Sequence, residues 1–319
     1  MRLSVALCTY NGEKYLAEQL ASIRNQSRPP DELVVCDDMS SDRSPQIARK
    51  FATTVSFPVR VEVNEQNLGS TLNFARAIGL CTGDGIVLAD QDDIWLPHKL
   101  ATLERALAAD SKIGLVCSDA EVMGENLEPL GYRLWEAIQF SPREQARFRR
   151  GSVFEGLLRR YRVTGATMAL RATYRDLVLP IPAEWVHDAW IALLISAVAR
   201  CELVADPLIR YRQHSQQQHG GKKRGLYNQY LAATTLTRGR LEAVADRYAV
   251  ALDRLRAVPG VGENQLHLLR RKVEHCRQRA AMRAPGVWRL PRILREMWRG
   301  HYSRFSLGWK TIAQDLMLG

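Results

Sequence analysis

Nowhere do the 319 residues contain the ~18 consecutive apolar residues that a transmembrane helix needs. The opening run LSVALC (3–8) is broken at Asn11-Gly12, too soon for a signal peptide. A membrane-spanning or exported chain is therefore not expected. C-x-x-C pairs are missing as well: Cys8, Cys36, Cys81, Cys117, Cys201 and Cys276 are scattered, several of them within apolar runs. They read as reduced core thiols of a cytoplasmic protein. Internal repeats and low-complexity tracts are absent. Hydrophobic residues make up 46% and charged residues 25%, so disorder is excluded over most of the length. The length suggests one large core domain with an appendage.

Acidic residues are scarce at one end only. Residues 1–221 carry 25 Lys and Arg against 27 Asp and Glu, whereas residues 222–319 carry 20 against 7. The whole excess of the net charge of +11 lies in that tail. Such segregation suggests an anionic partner, acidic lipid or nucleic acid, and is silent about catalysis.

What is present is an alternation of short apolar runs and helical patterns. LSVALC (3–8), ELVVCD (32–37), VRVEVN (59–64) and GIVLAD (85–90) read as strands; 13–26, 44–52 and 72–81 read as helices. This order predicts an α/β sheet with parallel pairing. Each strand ends in polar residues, and in open α/β sheets ligands sit beyond the carboxyl ends of the strands, so these clusters should share one crevice. A helix over 97–109, strands over 113–123, 164–171 and 201–214, and a buried helix over 185–199 follow. SQQQHGGKKRG (215–225) reads as a hinge or lid, and 226–256 and 264–284 as helices.

LADQDDIWLPHKL (88–100) concentrates three carboxylates. A strand that ends there directs Asp90 and Asp92, at i and i+2, to one side. Hard divalent cations take such oxygen ligands and complete their shell with water and phosphate. An acidic turn is the alternative reading of this segment taken alone.

Taken in order, SVALCTYNGEKYLAEQLASIRNQ, DELVVCDDMSSD, NEQNLGSTLNFARAIGLCTGDGIVLADQDDIWLPHKL and VHDAW resemble the family 2 glycosyltransferases of the GT-A fold, in particular bacterial rhamnosyltransferase-like members. The resemblance spans about residues 2–215. It implies a Rossmann-like, mostly parallel sheet flanked by helices over 1–221, with a helical basic region over 222–319.

The resemblance also implies a donor site formed by Cys8, Thr9, Tyr10, Asn11, Asp38, Asn67, Gly69, Asn73, Asp90, Gln91 and Arg212, with Asp38 reading the pyrimidine N3–H. Asp92, with His214, would hold Mn²⁺ or Mg²⁺, and Asp93 and His187 would support the site from behind. A hydroxyl residue is common in the family at position 8, so a cysteine there points to a backbone or packing contact. Asp188 stands where the family carries its base; its alternative reading is a helix cap. His219 is a further candidate for a metal or phosphate contact, and TGATMALR (164–171) would line the acceptor side or form a core strand.

The implied reaction is inverting transfer of rhamnose or a similar sugar from a dTDP- or UDP-sugar to a glycan or lipid-linked acceptor in surface polysaccharide synthesis. Two other classes stay open: a sugar-phosphate nucleotidyltransferase, although no Gly-rich basic loop follows the first strand, and a nucleic-acid-binding protein acting through the tail. In 287–309, Trp288, Leu290, Ile293, Leu294, Met297 and Trp298 interleave with arginines. That is the pattern of an interfacial helix on anionic lipid, or of a helix packed on the protein. A cytoplasmic location is expected, with peripheral attachment to the inner membrane face left open.

Overall fold

The computed structural model describes residues 1–215, 217, 237–283 and 288–317. The 215–225 hinge, the helix start at 226 and His219 therefore fall wholly or largely outside the described residues. Contacts divide the chain into two compact units, residues 1–151 with 163–222, and residues 152–162 with 223–319.

The first unit is built on a nine-stranded sheet in the order β3-β2-β1-β4-β8-β6-β9-β5, with β7 on β6. Strands β1 (Leu3–Thr9), β2 (Glu32–Asp37), β3 (Val59–Val63) and β4 (Gly85–Ala89) are mutually parallel. Helices α1 (Glu13–Arg24), α2 (Ser44–Ala52) and α3 (Ser70–Leu80) form the crossovers between them. Buried on both faces, β1 and β4 are continuous hydrophobic runs rather than alternating ones, as a helix-covered parallel strand requires.

Beyond β4 the pairing reverses. Strand β8 (Met168–Arg171) runs antiparallel to both β4 and β6 (Ile113–Met123), and β9 (Arg200–Arg212) runs parallel to β6. Strand β7 (Pro129–Arg133) edges β6, and the two-residue β5 (Ile94–Trp95) pairs antiparallel with the end of β9, Ile94 opposite Arg210. This last pairing brings the far end of β9 beside the segment that follows β4. The 164–171 strand expected from sequence is shorter: Gly165–Thr167 is a 3-10 turn, and only Met168–Arg171 extends as core strand. All six cysteines are buried free thiols.

The second unit packs the helices Arg238–Arg256 and Glu263–Ala281 against each other through Ala245, Val273 and Cys276, with Val244, Tyr248 and Ala249 packed on that cluster. Residues 152–162 join it through the helix Val153–Arg159, which buries Phe154, Leu157 and Leu158. Its polar interior is hydrogen-bonded. Asp315 accepts from Arg279 (2.8 and 3.0 Å), Arg283 (3.1 Å) and the Tyr302 hydroxyl (2.9 Å).

Glu296 Oε2 lies 2.6 Å from His275 Nδ1 and 2.8 Å from His301 Nδ1. The three side chains converge closely enough for a metal ion. However, Arg271 Nε donates to His301 Nε2 at 2.9 Å, which leaves the proton on Nδ1 and aims it at the carboxylate. The cluster is thus accounted for as a satisfied polar core, within which burial pushes His275 down to about 4 and keeps its ring neutral.

Candidate active site

The turn after β1 is clamped to the loop after β4 by one side chain. Gln91 Oε1 accepts from the Tyr10 N–H (2.8 Å) and the Thr9 hydroxyl (2.7 Å), and its Nε2 donates to the Tyr10 carbonyl at 3.2 Å. The approach is close enough that a Cβ at Gly12 would lie 2.2 Å from Gln91 Oε1, so a larger residue there would have to displace the Gln91 amide from this clamp. Asn11 takes a left-handed φ of 47° and accepts the Ser41 N–H on Oδ1 at 2.9 Å, tying the turn to the loop after β2. Cys8 is buried beneath, its thiol raised well above the ordinary value first by burial and then by the neighbouring Cys36, Asp90 and Asp38.

Asp37 and Asp38 organise two loops. Asp37 accepts the N–H (2.8 Å) and hydroxyl (2.6 Å) of Ser40, a turn of its own making. Asp38 Oδ1 accepts from Asn64 Nδ2 and the Leu68 N–H, both at 2.7 Å, and Oδ2 accepts the Gly69 N–H at 2.8 Å. Asn67 donates to the Asp38 carbonyl at 3.2 Å. Asn73 is buried, bonded to Asn64 and to the Cys36 carbonyl, so it braces this network from behind rather than presenting its amide to the crevice.

The acidic loop occupies residues 90–93. Strand β4 ends at Ala89, so strand alternation is not what brings Asp90 and Asp92 together. The loop is shaped by the end of β9. The Arg212 N–H donates to Asp93 Oδ1 (3.1 Å), and the Arg212 guanidinium donates to the carbonyls of Asp92 (2.8 Å) and Glu125 (2.8 Å) and pairs with Glu18. Arg212, stacked over the Tyr15 ring at 4.7 Å, is a brace for the loop; Arg210 is exposed beside Glu121.

Two residues further on, His214 Nε2 lies 2.8 Å from Asp92 Oδ2, with its ring 4.7 Å from that of Tyr15. Burial, then Asp92 and Asp188, push Asp90 up to about 7. Burial, then Asp92 and Asp90, raise Asp93, whose Oδ2 is buried without a hydrogen-bond partner. Crowded carboxylates with an adjoining imidazole form an oxygen and nitrogen donor set, and they fit a divalent cation that Asp92 and His214 would hold.

Asp188 lies in the first turn of the buried helix His187–Val198, whose N-cap is Val186. Its carboxylate does not cap the helix in the usual sense: Oδ2 accepts the Gly165 N–H at 3.0 Å and Oδ1 the adjacent Ala189 N–H at 2.8 Å. His187 stacks on Phe74, ring centroids 4.0 Å apart, with its Nε2 close against Gly165. Asp188 nonetheless shares an electrostatic neighbourhood with Asp90, Asp92 and Asp93, because all four raise the buried Tyr211 hydroxyl. One group missing from the sequence reading joins them. Lys99, at the start of α4 (Lys99–Ala108), is fully buried and donates to the Ala166 carbonyl at 2.7 Å. Burial lowers it to about 7, against the pull of Asp93 and Asp90. The helix pattern contains the clue, since Lys99, Leu100, Leu103 and Leu107 share its buried side.

A parallel wing whose carboxyl ends meet an acidic loop, continued by a reversed strand into a second wing, is the GT-A arrangement. The mannosyltransferase PcManGT from Pyrobaculum calidifontis, solved with GDP-Man and Mn²⁺, shares it at TM-score 0.54 and 19% identity, over 99% of this chain and 84% of that one. TarS 1–349 of S. aureus in complex with UDP-GlcNAc does so at TM-score 0.59 and 16% identity, over 92% and 78%. Residues 4–170 match the model of glycosyl transferase family 2, and the chain belongs to that family.

Among curated relatives, the putative glycosyltransferase EpsE of Bacillus subtilis is 34% identical over 31% of this chain and 36% of its own length. Abequosyltransferase RfbV of Salmonella typhimurium is 30% identical over 40% and 38%. The match thus spans little more than a third of these relatives.

Proposed function

We propose that the chain is an inverting glycosyltransferase that moves a sugar from a nucleoside-diphosphate donor to an acceptor hydroxyl. The observation that carries this reading is the meeting of Asp92 with His214 in a crowd of carboxylates that also includes Asp188. Asp92 and His214 would hold Mn²⁺ or Mg²⁺; when bound, the cation supplies charge stabilisation for the departing diphosphate. Asp188 takes the proton of the acceptor hydroxyl as that oxygen attacks the face of the sugar opposite the diphosphate, and the anomeric centre inverts.

The turn at Thr9, Tyr10 and Asn11 and the loop at Asn67 and Gly69 border the nucleoside. A carboxylate offers about four acceptor positions. Asp38 spends three of them on Asn64, Leu68 and Gly69, leaving one on Oδ2 for the N3–H of uracil or thymine. This favours UDP- and dTDP-sugars, with rhamnose or a similar sugar transferred to a growing glycan or its lipid-linked form. The abequosyltransferase among the relatives supports a polysaccharide setting.

The test is calorimetric titration with UDP, dTDP, GDP and CDP, each with Mn²⁺ and with EDTA. Binding of UDP or dTDP that requires Mn²⁺ is expected. Equal binding of CDP would remove the role given to Asp38, and no binding of any nucleotide would remove the donor site.

The second unit supports a further part of the reading, attachment to an anionic membrane. No helix among the described residues is long and apolar enough to cross one. In the helix Leu290–Trp298, Ile293 is buried with Met282 and Tyr302, so the apolar residues that interleave with arginines in the sequence are divided between a buried and an exposed side. Leu294, Met297 and Trp298 face outward. Trp288, Trp298 and Trp309 are 85%, 90% and 73% exposed, and Arg295, Arg299 and Arg304 are exposed among them. Tryptophan and arginine together suit a headgroup layer, with each basic residue contributing about 1 kcal/mol at an anionic surface. Flotation with phosphatidylcholine vesicles containing phosphatidylglycerol is expected to carry the protein up, and Trp288→Ser with Trp298→Ser to leave it behind. Equal flotation of both proteins would remove this part.

A further inference from the structure

Lys99 stands where a charge is doubly disfavoured. It is fully buried, and as the first residue of α4 it places an ammonium at the positive end of the helix dipole. The compensation lies around it. The ammonium donates to the Ala166 carbonyl at 2.7 Å and lies 3.8 Å from the centroid of the Trp95 ring, with Asp90 and Asp93 near enough to act on it electrostatically. Full burial and the bond to a main-chain carbonyl separate it from any bound substrate.

The identity of that carbonyl matters more than the charge balance. Ala166 is the middle residue of the turn Gly165–Thr167, and the N–H of the preceding residue, Gly165, is the donor to Asp188 Oδ2 at 3.0 Å. The turn is held from other sides as well. The Thr167 hydroxyl donates to the Thr164 carbonyl at 2.8 Å, and the His187 ring packs so closely that a Cβ at residue 165 would lie 2.6 Å from its Nε2. The ammonium of Lys99 and the carboxylate of Asp188 therefore grip adjacent residues of one three-residue turn.

We propose that Lys99 is a positioning residue for Asp188: it pins the 165–167 turn through the Ala166 carbonyl, and the pinned Gly165 N–H fixes the Asp188 carboxylate toward the crevice. This rests on the reading of Asp188 as the base. It does not require Lys99 to touch donor, acceptor or cation.

The experiment compares wild type with Lys99→Met, which keeps the length and the contact with Trp95 but removes the donor and the charge. The first readout needs no substrate. In ¹⁵N-glycine-labelled protein, the Gly165 amide is expected to exchange with solvent about 10-fold faster or more in Lys99→Met, while the Gly12 amide, bonded to Ser44 in the same unit, keeps its protection. Unchanged Gly165 protection would overturn the proposal, whether or not the chain proves to be a glycosyltransferase.

The second readout is a double-mutant cycle. Lys99→Met should lower kcat about 10–100-fold, with donor KM nearly unchanged, in the wild-type background and have little effect when Asp188→Asn is already present. An equal loss in both backgrounds would mean that Lys99 supports the fold alone. If Lys99→Met does not fold, Lys99→Gln takes its place. Its amide ends about one bond short of the ammonium, and Gly165 protection must fall there too for the proposal to stand.

Discussion

Asp188→Asn is expected to lower transfer by about 10²–10⁴, the range for loss of a positioned general base, while the affinity for UDP or dTDP with Mn²⁺ stays within a few-fold of wild type. The substitution is nearly isosteric, so what it removes is basicity. It also has a structural cost. Asp188 accepts two N–H donors, from Gly165 on Oδ2 and from Ala189 on Oδ1, whereas an asparagine has one oxygen. One buried donor then faces an NH₂ group, a cost of about 1–3 kcal/mol in stability.

The kinetic effect corresponds to about 3–5 kcal/mol in the barrier, and the two effects separate by measurement. Thermal melting reports the first, and turnover at saturating donor reports the second. A variant that melts lower but turns over at close to the wild-type rate would make Asp188 an anchor for the 165–167 turn and leave the base elsewhere.

The parallel wing was legible because its signal is local. A strand buried on both faces must be apolar along its whole length, and each crossover helix must show one apolar stripe, so β1, β2, β4 and α2 could be read from short windows. The acidic loop was legible as chemistry but not as geometry. Alternation explains Asp90 and Asp92 only if the strand continues to residue 92, and it stops at Ala89.

What periodicity does not carry is the partner of a buried polar group. It places Lys99 on the inner side of α4, yet the carbonyl it needs lies 67 residues away. Asp38 shows the same gap: its loop partners at residues 64, 68 and 69 arrive only once β3 is paired with β2. In the tail the sequence pattern is amphipathic, but Glu296 joins Ile293 on the inner face because His275 and His301 receive its carboxylate. Apolar Leu294 and Trp298 are left outside in exchange.

Asp92→Asn should separate stability from activity in opposite directions. In the absence of a cation, Asp92 adds repulsion to a buried group of carboxylates, since it raises both Asp90 and Asp93. Asparagine keeps an acceptor for His214 at the position now 2.8 Å away and removes the charge. In EDTA the variant is therefore expected to melt no lower than wild type, and higher where the relieved repulsion exceeds the change in the histidine bond, at about 2–4 °C per kcal/mol for a domain of this size. With Mn²⁺ the order should invert. Wild type gains stability from any cation bound to its native state, by an amount that grows with concentration over Kd, whereas the variant, short of one anionic ligand, gains little. Turnover should fall by about 10²–10³, comparable to removal of one preorganised stabiliser of a developing charge.

A lower melting temperature in EDTA, together with an unaltered Mn²⁺ response, would show instead that Asp92 serves His214 as a structural partner and that the cation is held by other groups. Functional sites are where charge is crowded at the expense of stability. The sign of this one melting difference decides whether the 90–93 loop is such a site.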